Sequence, residues 1–221
     1  MAFIGSNGDA PHLTPMSGNF LCVGGIYVDN LLDAPVLPAE DTCVRMTGAP
    51  KRCQGGNAAN QSVVLSQLLH AHADGGRNAS AVHWLGSTPA GDVEDTRFAL
   101  SELQKADVDT SLREVVAAEP GQEPVGQPTC YWIRSAATGS RTGVSWRAGL
   151  REVSAEHFAA KLHERDFAWV HIECRHAPDT LEMVRRARKP ESARYIISVE
   201  LEKPYLPQEE AFLLAAGADI V

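Results

Sequence analysis

Short apolar runs alternate along this chain with stretches of helical period. Phe20-Leu-Cys-Val-Gly24 reads as a buried strand, followed by Gly24-Gly25 and a second apolar run, Ile26-Tyr-Val28, which Asp29-Asn30 interrupts. Leu31 to Arg52 holds Pro35, Pro38 and Pro50, so extended segments and turns are expected there rather than helix. Gly55-Gly56 opens a predicted helix from Asn57 to His70, with Ala, Val and Leu on a broad face. Ala81 to Leu85 predicts a strand, closed by a turn from Gly86 to Gly91. From Gly91 to Lys105 the period is helical, with Val93, Phe98, Leu100 and Leu103 as its apolar stripe.

The second half repeats the alternation. Thr129 to Ile133 and Thr142 to Trp146 flank the loop Ala136-Ala-Thr-Gly-Ser140, a hairpin signature. Helices are expected at Ser154 to Arg165, with Ser154 as N-cap, at Asp179 to Arg188 and at Gln208 to Ala216. Strands are expected at Ala168 to Ile172 and Tyr195 to Val199. The order implies an α/β fold with a mainly parallel sheet flanked by helices. The β-rich stretches 26–53 and 128–147 break the alternation and suggest a small projecting sheet, such as a lid. Met1 to Asn19 reads as a flexible tail. Ala218-Asp-Ile-Val221 resembles the start of another buried strand, and a parallel strand normally continues into a covering crossover, so a C-terminally shortened domain is expected.

Composition narrows the function classes. Among 221 residues, 28 acidic and 20 basic side chains leave a net charge of −8, which argues against a nucleic-acid or anionic-membrane partner. No apolar run approaches the roughly 18 residues that span a bilayer. The five cysteines, Cys22, Cys43, Cys53, Cys130 and Cys174, form no C-x-x-C pair and no zinc spacing. They read as reduced thiols of a cytoplasmic protein, and no metal ligand set is expected. His70 and His72 lie two apart at a helix end and point to different sides.

The most informative segment is Gly55-Gly-Asn-Ala-Ala-Asn60. Two glycines admit a ligand close to the backbone, a helix N-terminus offers N–H donors, and Asn57 and Asn60 are spaced to share one face of the first turn. Side-chain amides donate and accept, which suits a polyhydroxylated ligand; the same residues also suit a plain glycine turn with an asparagine cap. Asp29 is either a carboxylate acceptor for hydroxyls or an Asp-Asn turn residue. Arg141, at the hairpin tip, is either a phosphate ligand or a solvated guanidinium.

Together these segments resemble the ribokinase-like (PfkB-type) carbohydrate kinases, and within them the ketohexokinases. The resemblance rests on Leu21-Cys-Val-Gly24 with Asp29, Pro38-x-Glu-Asp41, Gly55-Gly-Asn-Ala-Ala-Asn60, Thr138-Gly-Ser-Arg-Thr142, Trp169-Val-His-Ile-Glu-Cys-Arg175 and Ser198-Val-Glu-Leu-Glu-Lys-Pro204. It implies an incomplete kinase domain over 20–221 that uses ATP, with Mg2+ and K+, to phosphorylate a sugar hydroxyl, fructose to fructose 1-phosphate. It places Asp29, Gly56, Asn57 and Asn60 at the sugar and Arg141 at the ATP phosphates. Ser140 stands where some ketohexokinases have asparagine. The resemblance also implies a homodimer through the lid as a β-clasp. The family's base aspartate belongs to a G-A-G-D motif. Ala216-Gly-Ala-Asp219 is a near-match without a following helix, so Asp219 is not assigned as the base, which is expected beyond Val221. The chain as it stands is expected to be inactive. The alternatives are a non-catalytic sugar-binding or dimerising homologue, or a kinase for another sugar or a nucleoside.

Overall fold

The computed structural model describes residues 18–71, 80–188, 195–201 and 207–221. Most of the expected tail, His72, and the Glu202-Lys-Pro204 end of the last motif lie outside them. Strands β1 (Asn19–Val23), β2 (Tyr27–Ala34), β3 (Lys51–Gly55) and helix α1 (Asn57–Ala71) come first. They are followed by β4 (Val82–Leu85), β5 (Ser87–Pro89), α2 (Glu94–Lys105), β6 (Val108–Asp109) and β7 (Glu114–Val116). The hairpin is β8 (Thr129–Ser135) and β9 (Arg141–Trp146). Then come α3 (Ala155–Leu162), β10 (Phe167–Glu173), α4 (Ala177–Arg188), β11 (Ile196–Glu200) and α5 (Gln208–Gly217).

The main sheet has the order β11-β10-β1-β4-β6, with every neighbouring pair parallel. Its strands bury both faces. Leu21 and Val23 point into a core with Phe158, Val170, Ile172, Met183 and Ile197 beneath α3 and α4. Phe20 and Cys22 point the other way, into a core with Ala58, Trp84, Ala99 and Leu103 beneath α1 and α2. This two-sided burial is why the strands read as continuous apolar runs. Ser154 caps α3 by accepting from the His157 N–H, as expected. Beyond α5, Ile220 forms a parallel bridge with Ser198 of β11, so Ala218 to Val221 does begin to extend the sheet.

The second sheet has the order β3-β2-β8-β9 and is mixed: β2 runs parallel to β8, while β2–β3 and β8–β9 are antiparallel. It is the α/β fold's separate small sheet. Asp29-Asn30 does not interrupt the strand, contrary to the sequence expectation. β2 continues to Ala34, because both neighbours supply ladder partners through those positions. The turn expected at Gly86 to Gly91 contains β5, which pairs with β7 in a two-stranded ribbon that no local pattern announced. In α1, small residues do the packing: Ala58, Ala59, Ser62 and Ser66 are buried while Val64 and Leu68 are exposed. Only small side chains let this helix lie close to the sheet. No helix among the described residues is long and apolar enough to cross a membrane.

Candidate functional site

The site forms where the small sheet meets the start of α1. Asp29 lies on β2 beside Cys53 of β3 and Cys130 of β8. Its carboxylate packs over Gly55, where a Cβ would come 2.4 Å from the carboxyl carbon. Gly56 has φ +98°, and a Cβ there would stand 2.3 Å from the Gly25 carbonyl oxygen. A side chain at either glycine would therefore push apart the strand and helix that carry the site. Burial pushes the Asp29 carboxyl above its ordinary value, while the nearby Trp132 indole and the charge of Arg141 pull it down.

Two strand-terminal carboxylates hold the helix start. Glu173, the last residue of β10 and 3% exposed, accepts from the backbone N–H of Gly25 at 3.1 Å and of Ala58 at 3.3 Å. Glu200, its register partner at the end of β11, accepts from the side-chain amides of Asn57 at 2.7 Å and Gln61 at 2.8 Å. The first turn of α1 contains no acidic residue of its own; these two carboxylates complement its N-terminal dipole from outside the helix. From sequence alone, that N-terminus is expected to be open for a ligand. The Ala58 N–H is in fact taken by Glu173, so what the turn offers is glycine backbone and side-chain amide.

Arg175 secures Glu173 in turn, at 3.0 Å, and also meets Glu152 at 3.0 Å and the Tyr27 hydroxyl at 2.6 Å. Burial opposes its charge, yet Glu152 and Glu173 together hold it above the ordinary arginine value. On the far side of Glu200, the Ser198 hydroxyl meets Trp169 Nε1 at 2.7 Å and His171 Nδ1 at 2.8 Å. Burial pushes the His171 imidazole below its ordinary pKa, with Glu200 opposing. A pocket of about 250 Å³ opens there, lined by Phe20, Cys22, Gln61, Leu65, Trp169 and His171 among others, and neither Asp29 nor Arg141 lines it.

Of the sequence candidates, Asp29, Gly56 and Asn57 come together. Arg141 joins them from β9, its guanidinium 4.8 Å from the centroid of the Trp132 ring. Asn60 diverges: its Oδ1 accepts from Gln54 Nε2 at 3.1 Å on β3, while Asn57 reaches β11, so the two amides serve different partners. Asp219 is structural. Its Oδ2 accepts from the Ile197 N–H at 2.8 Å and pairs with Arg188 at 2.6 Å. Trp132, Glu173 and Glu200 had no role in the sequence reading. A signal for the two glutamates was present, since each carboxylate ends a buried parallel strand, where ligand clefts of α/β sheets form. All five cysteines are unpaired. Among the described residues, no group of three His, Cys, Asp or Glu side chains is arranged to hold a metal ion.

No family model matches the chain. Ketohexokinase of Mus musculus is 32% identical over 206 residues, covering 91% of this chain and 61% of that protein. The chain thus spans about three-fifths of the length of this relative. Among solved structures, fructokinase from Xylella fastidiosa superposes with a TM-score of 0.62 at 21% identity, over 92% of this chain and 61% of its own. Ribokinase from Giardia lamblia does so at 0.68 with 11% identity, over 92% and 57%. A nucleoside kinase from Methanocaldococcus jannaschii gives 0.63 at 16%, over 92% and 60%. By sequence the chain is similar to ketohexokinase, and by architecture it has the ribokinase-like fold.

Proposed function

We propose that this chain carries the sugar-binding half of an ATP-dependent carbohydrate kinase site, with fructose or a similar neutral ketose as acceptor. The observation that carries this reading is the convergence of Asp29, Gly56 and Asn57 at one junction. A carboxylate that only accepts, an amide that does both and a bare backbone make a set suited to sugar hydroxyls. Arg141, exposed on the same sheet face as Asp29, suits phosphate oxygens of ATP. Solved relatives by fold include a fructokinase with bound ATP and an Arabidopsis thaliana ribokinase complexed with ribose and ATP.

In such a transfer the sugar hydroxyl oxygen bonds to the γ-phosphorus, the bond to the ADP oxygen breaks, and the hydroxyl proton passes to a base. Asp29 and Asn57 would orient the sugar, and Arg141 would offset phosphate charge. Asp219 is not proposed as the base, since its carboxylate is engaged by Ile197 and Arg188. Mg2+, and K+ with it, would accompany ATP by family resemblance; the roles assigned to these residues need neither ion. We place the protein in the cytoplasm, a reducing setting that fits five unpaired thiols.

Titration calorimetry of the purified chain with D-fructose tests the reading. Binding that is lost in Asp29→Ala and in Asn57→Ala supports it, and binding unchanged in both removes the site. Phosphoryl transfer from ATP by residues 1–221 is expected at background. Fructose 1-phosphate formed above a denatured control would overturn that inactivity.

A second reading, a dimerising sugar-binding homologue, draws on the other face of the small sheet. Tyr131 and Val144 are register partners there, and Trp146 shares their face. All three are exposed, at 50, 69 and 66%, an apolar cluster of the kind that partners cover.

A further inference from the structure

The pocket beside Glu200 has no part in the sugar reading, and strand register explains how it is built. Phe20 of β1 is paired with Trp169 of β10, Cys22 with His171, and His171 with Ser198 of β11. Side chains alternate along a strand, so all five stand on the face of the main sheet that α1 covers. Gln61 and Leu65, one turn apart on α1, close the cavity from above. Its polar atoms are turned elsewhere. Ser198 Oγ accepts from Trp169 Nε1 at 2.7 Å and offers its own hydrogen to His171 Nδ1 at 2.8 Å. His171 Nε2 is buried without a hydrogen-bond partner among the described residues, 3.8 Å from Glu200 Oε2. Gln61 donates to that same oxygen at 2.8 Å, and its Oε1 is buried. Burial pushes the Cys22 thiol up to about 12, so it lines the cavity uncharged. What remains for a ligand is ring surface, sulfur and aliphatic carbon.

We propose that this pocket binds a neutral, flat, apolar ring compound, at a site separate from the residues assigned to the sugar. An engineered apolar cavity of roughly 150 Å³ already suffices for benzene, so about 250 Å³ accommodates a fused bicyclic ring. Aromatic side chains in a concave apolar cavity are the usual lining of a small-molecule site. Ser198 holds both Trp169 and His171 in place, so these rings need little further ordering when a ligand arrives. A charged ligand is disfavoured, because the described residues that line the pocket offer it no opposite charge. Neither Asp29 nor Arg141 lines the cavity, so its occupation does not depend on the sugar-site reading.

Indole is the probe, and the full chain is labelled with nitrogen-15 at tryptophan, so that Trp84, Trp132, Trp146 and Trp169 report separately. The Trp169 signal is identified by its loss in Trp169→Phe. Titration with indole should shift the Trp169 signal saturably and leave that of Trp146, exposed on the small sheet, in place. Leu65→Trp, which fills the pocket from α1, should abolish the Trp169 shift, whereas Asp29→Ala should bind indole as the native chain does. Indole-3-carboxylate, the same ring with a charge, should bind the native chain at least roughly tenfold more weakly, a comparison that decides even where Leu65→Trp does not fold. The proposal is overturned by the lack of a saturable Trp169 shift, by a shift of Trp146 in its place, or by equal affinity for the two compounds. It is equally overturned if folded Leu65→Trp still binds indole, or if Asp29→Ala does not.

Discussion

The Asn57 amide donates to Glu200 Oε1 at 2.7 Å, joining residues 143 apart in sequence. The same carboxylate takes Gln61 Nε2 on its other oxygen, so Glu200 sets the orientation of two side chains on the first turns of α1. Glu200→Gln should weaken fructose binding about tenfold, since a hydrogen bond to a charged acceptor contributes roughly 1.5–3 kcal/mol. Calorimetry on Glu200→Gln checks this, and a fructose affinity equal to that of the native chain would show that Glu200 does not set the orientation of Asn57.

Glu173 is a matter of stability. Its removal leaves two backbone N–H groups and part of the Arg175 charge without their acceptor inside the protein. Glu173→Ala should therefore lower unfolding stability by about 3–5 kcal/mol, read as a fall in the urea midpoint. Glu164→Ala, on the exposed Lys161 pair, should cost no more than about 0.5 kcal/mol.

Gly56 tests the backbone. Its φ of +98° and the Gly25 carbonyl 2.3 Å from any added Cβ leave no room for alanine. Gly56→Ala should cost more than about 2 kcal/mol in thermal unfolding. Gly91, also at positive φ (+88°) but with open space around it, should lose distinctly less as Gly91→Ala.

Asp219 gives a pH signature. The Ile197 N–H, joined by Arg188, lowers its pKa against the opposing effect of burial. A depressed folded pKa means that its stabilisation is fully present above the ordinary aspartate pKa, about 3.9. It is lost as the pH falls through the folded value. Asp219→Asn should thus flatten part of the acid decline in Tm below about pH 5 and leave fructose affinity unchanged. A loss of fructose binding in this variant would contradict the structural assignment.

If the Tyr131–Val144–Trp146 face pairs two subunits, Val144→Asp should convert a dimer to a monomer in analytical ultracentrifugation, because burying that charge without a partner is costly. A native chain that sediments as a monomer at all concentrations would remove the clasp.

Much of this architecture was legible before any coordinates. β1, β4, β10 and β11 are apolar on both faces, and such runs permit little else than buried parallel strands. α1 was legible from Gly55-Gly56 and the helix-compatible stretch behind it. β2 was misread at Asp29-Asn30 because the local turn propensity of those residues is outweighed by ladder bonds to β3 and β8. β5 and β7 were missed because two three-residue strands carry no period and exist only through each other. In the candidate site, Asp29, Gly56 and Asn57 stand out by residue type, whereas Glu173 and Glu200 join it only through the fold.

The sequence by itself determined the alternation of strand and helix, the glycine break before α1 and the acidic balance, since these depend on periodicity, backbone freedom and charge, which are local or additive. Only the tertiary structure decided that the carboxylates at the N-terminus of α1 come from Glu173 and Glu200, and that Asn57 and Asn60 part company. It also decided that the Asp29 carboxyl lies within reach of the Arg141 charge on β9. Each of these is a hydrogen bond or charge pairing between residues far apart in the chain, whose strength depends on distance and burial, and no local pattern encodes either.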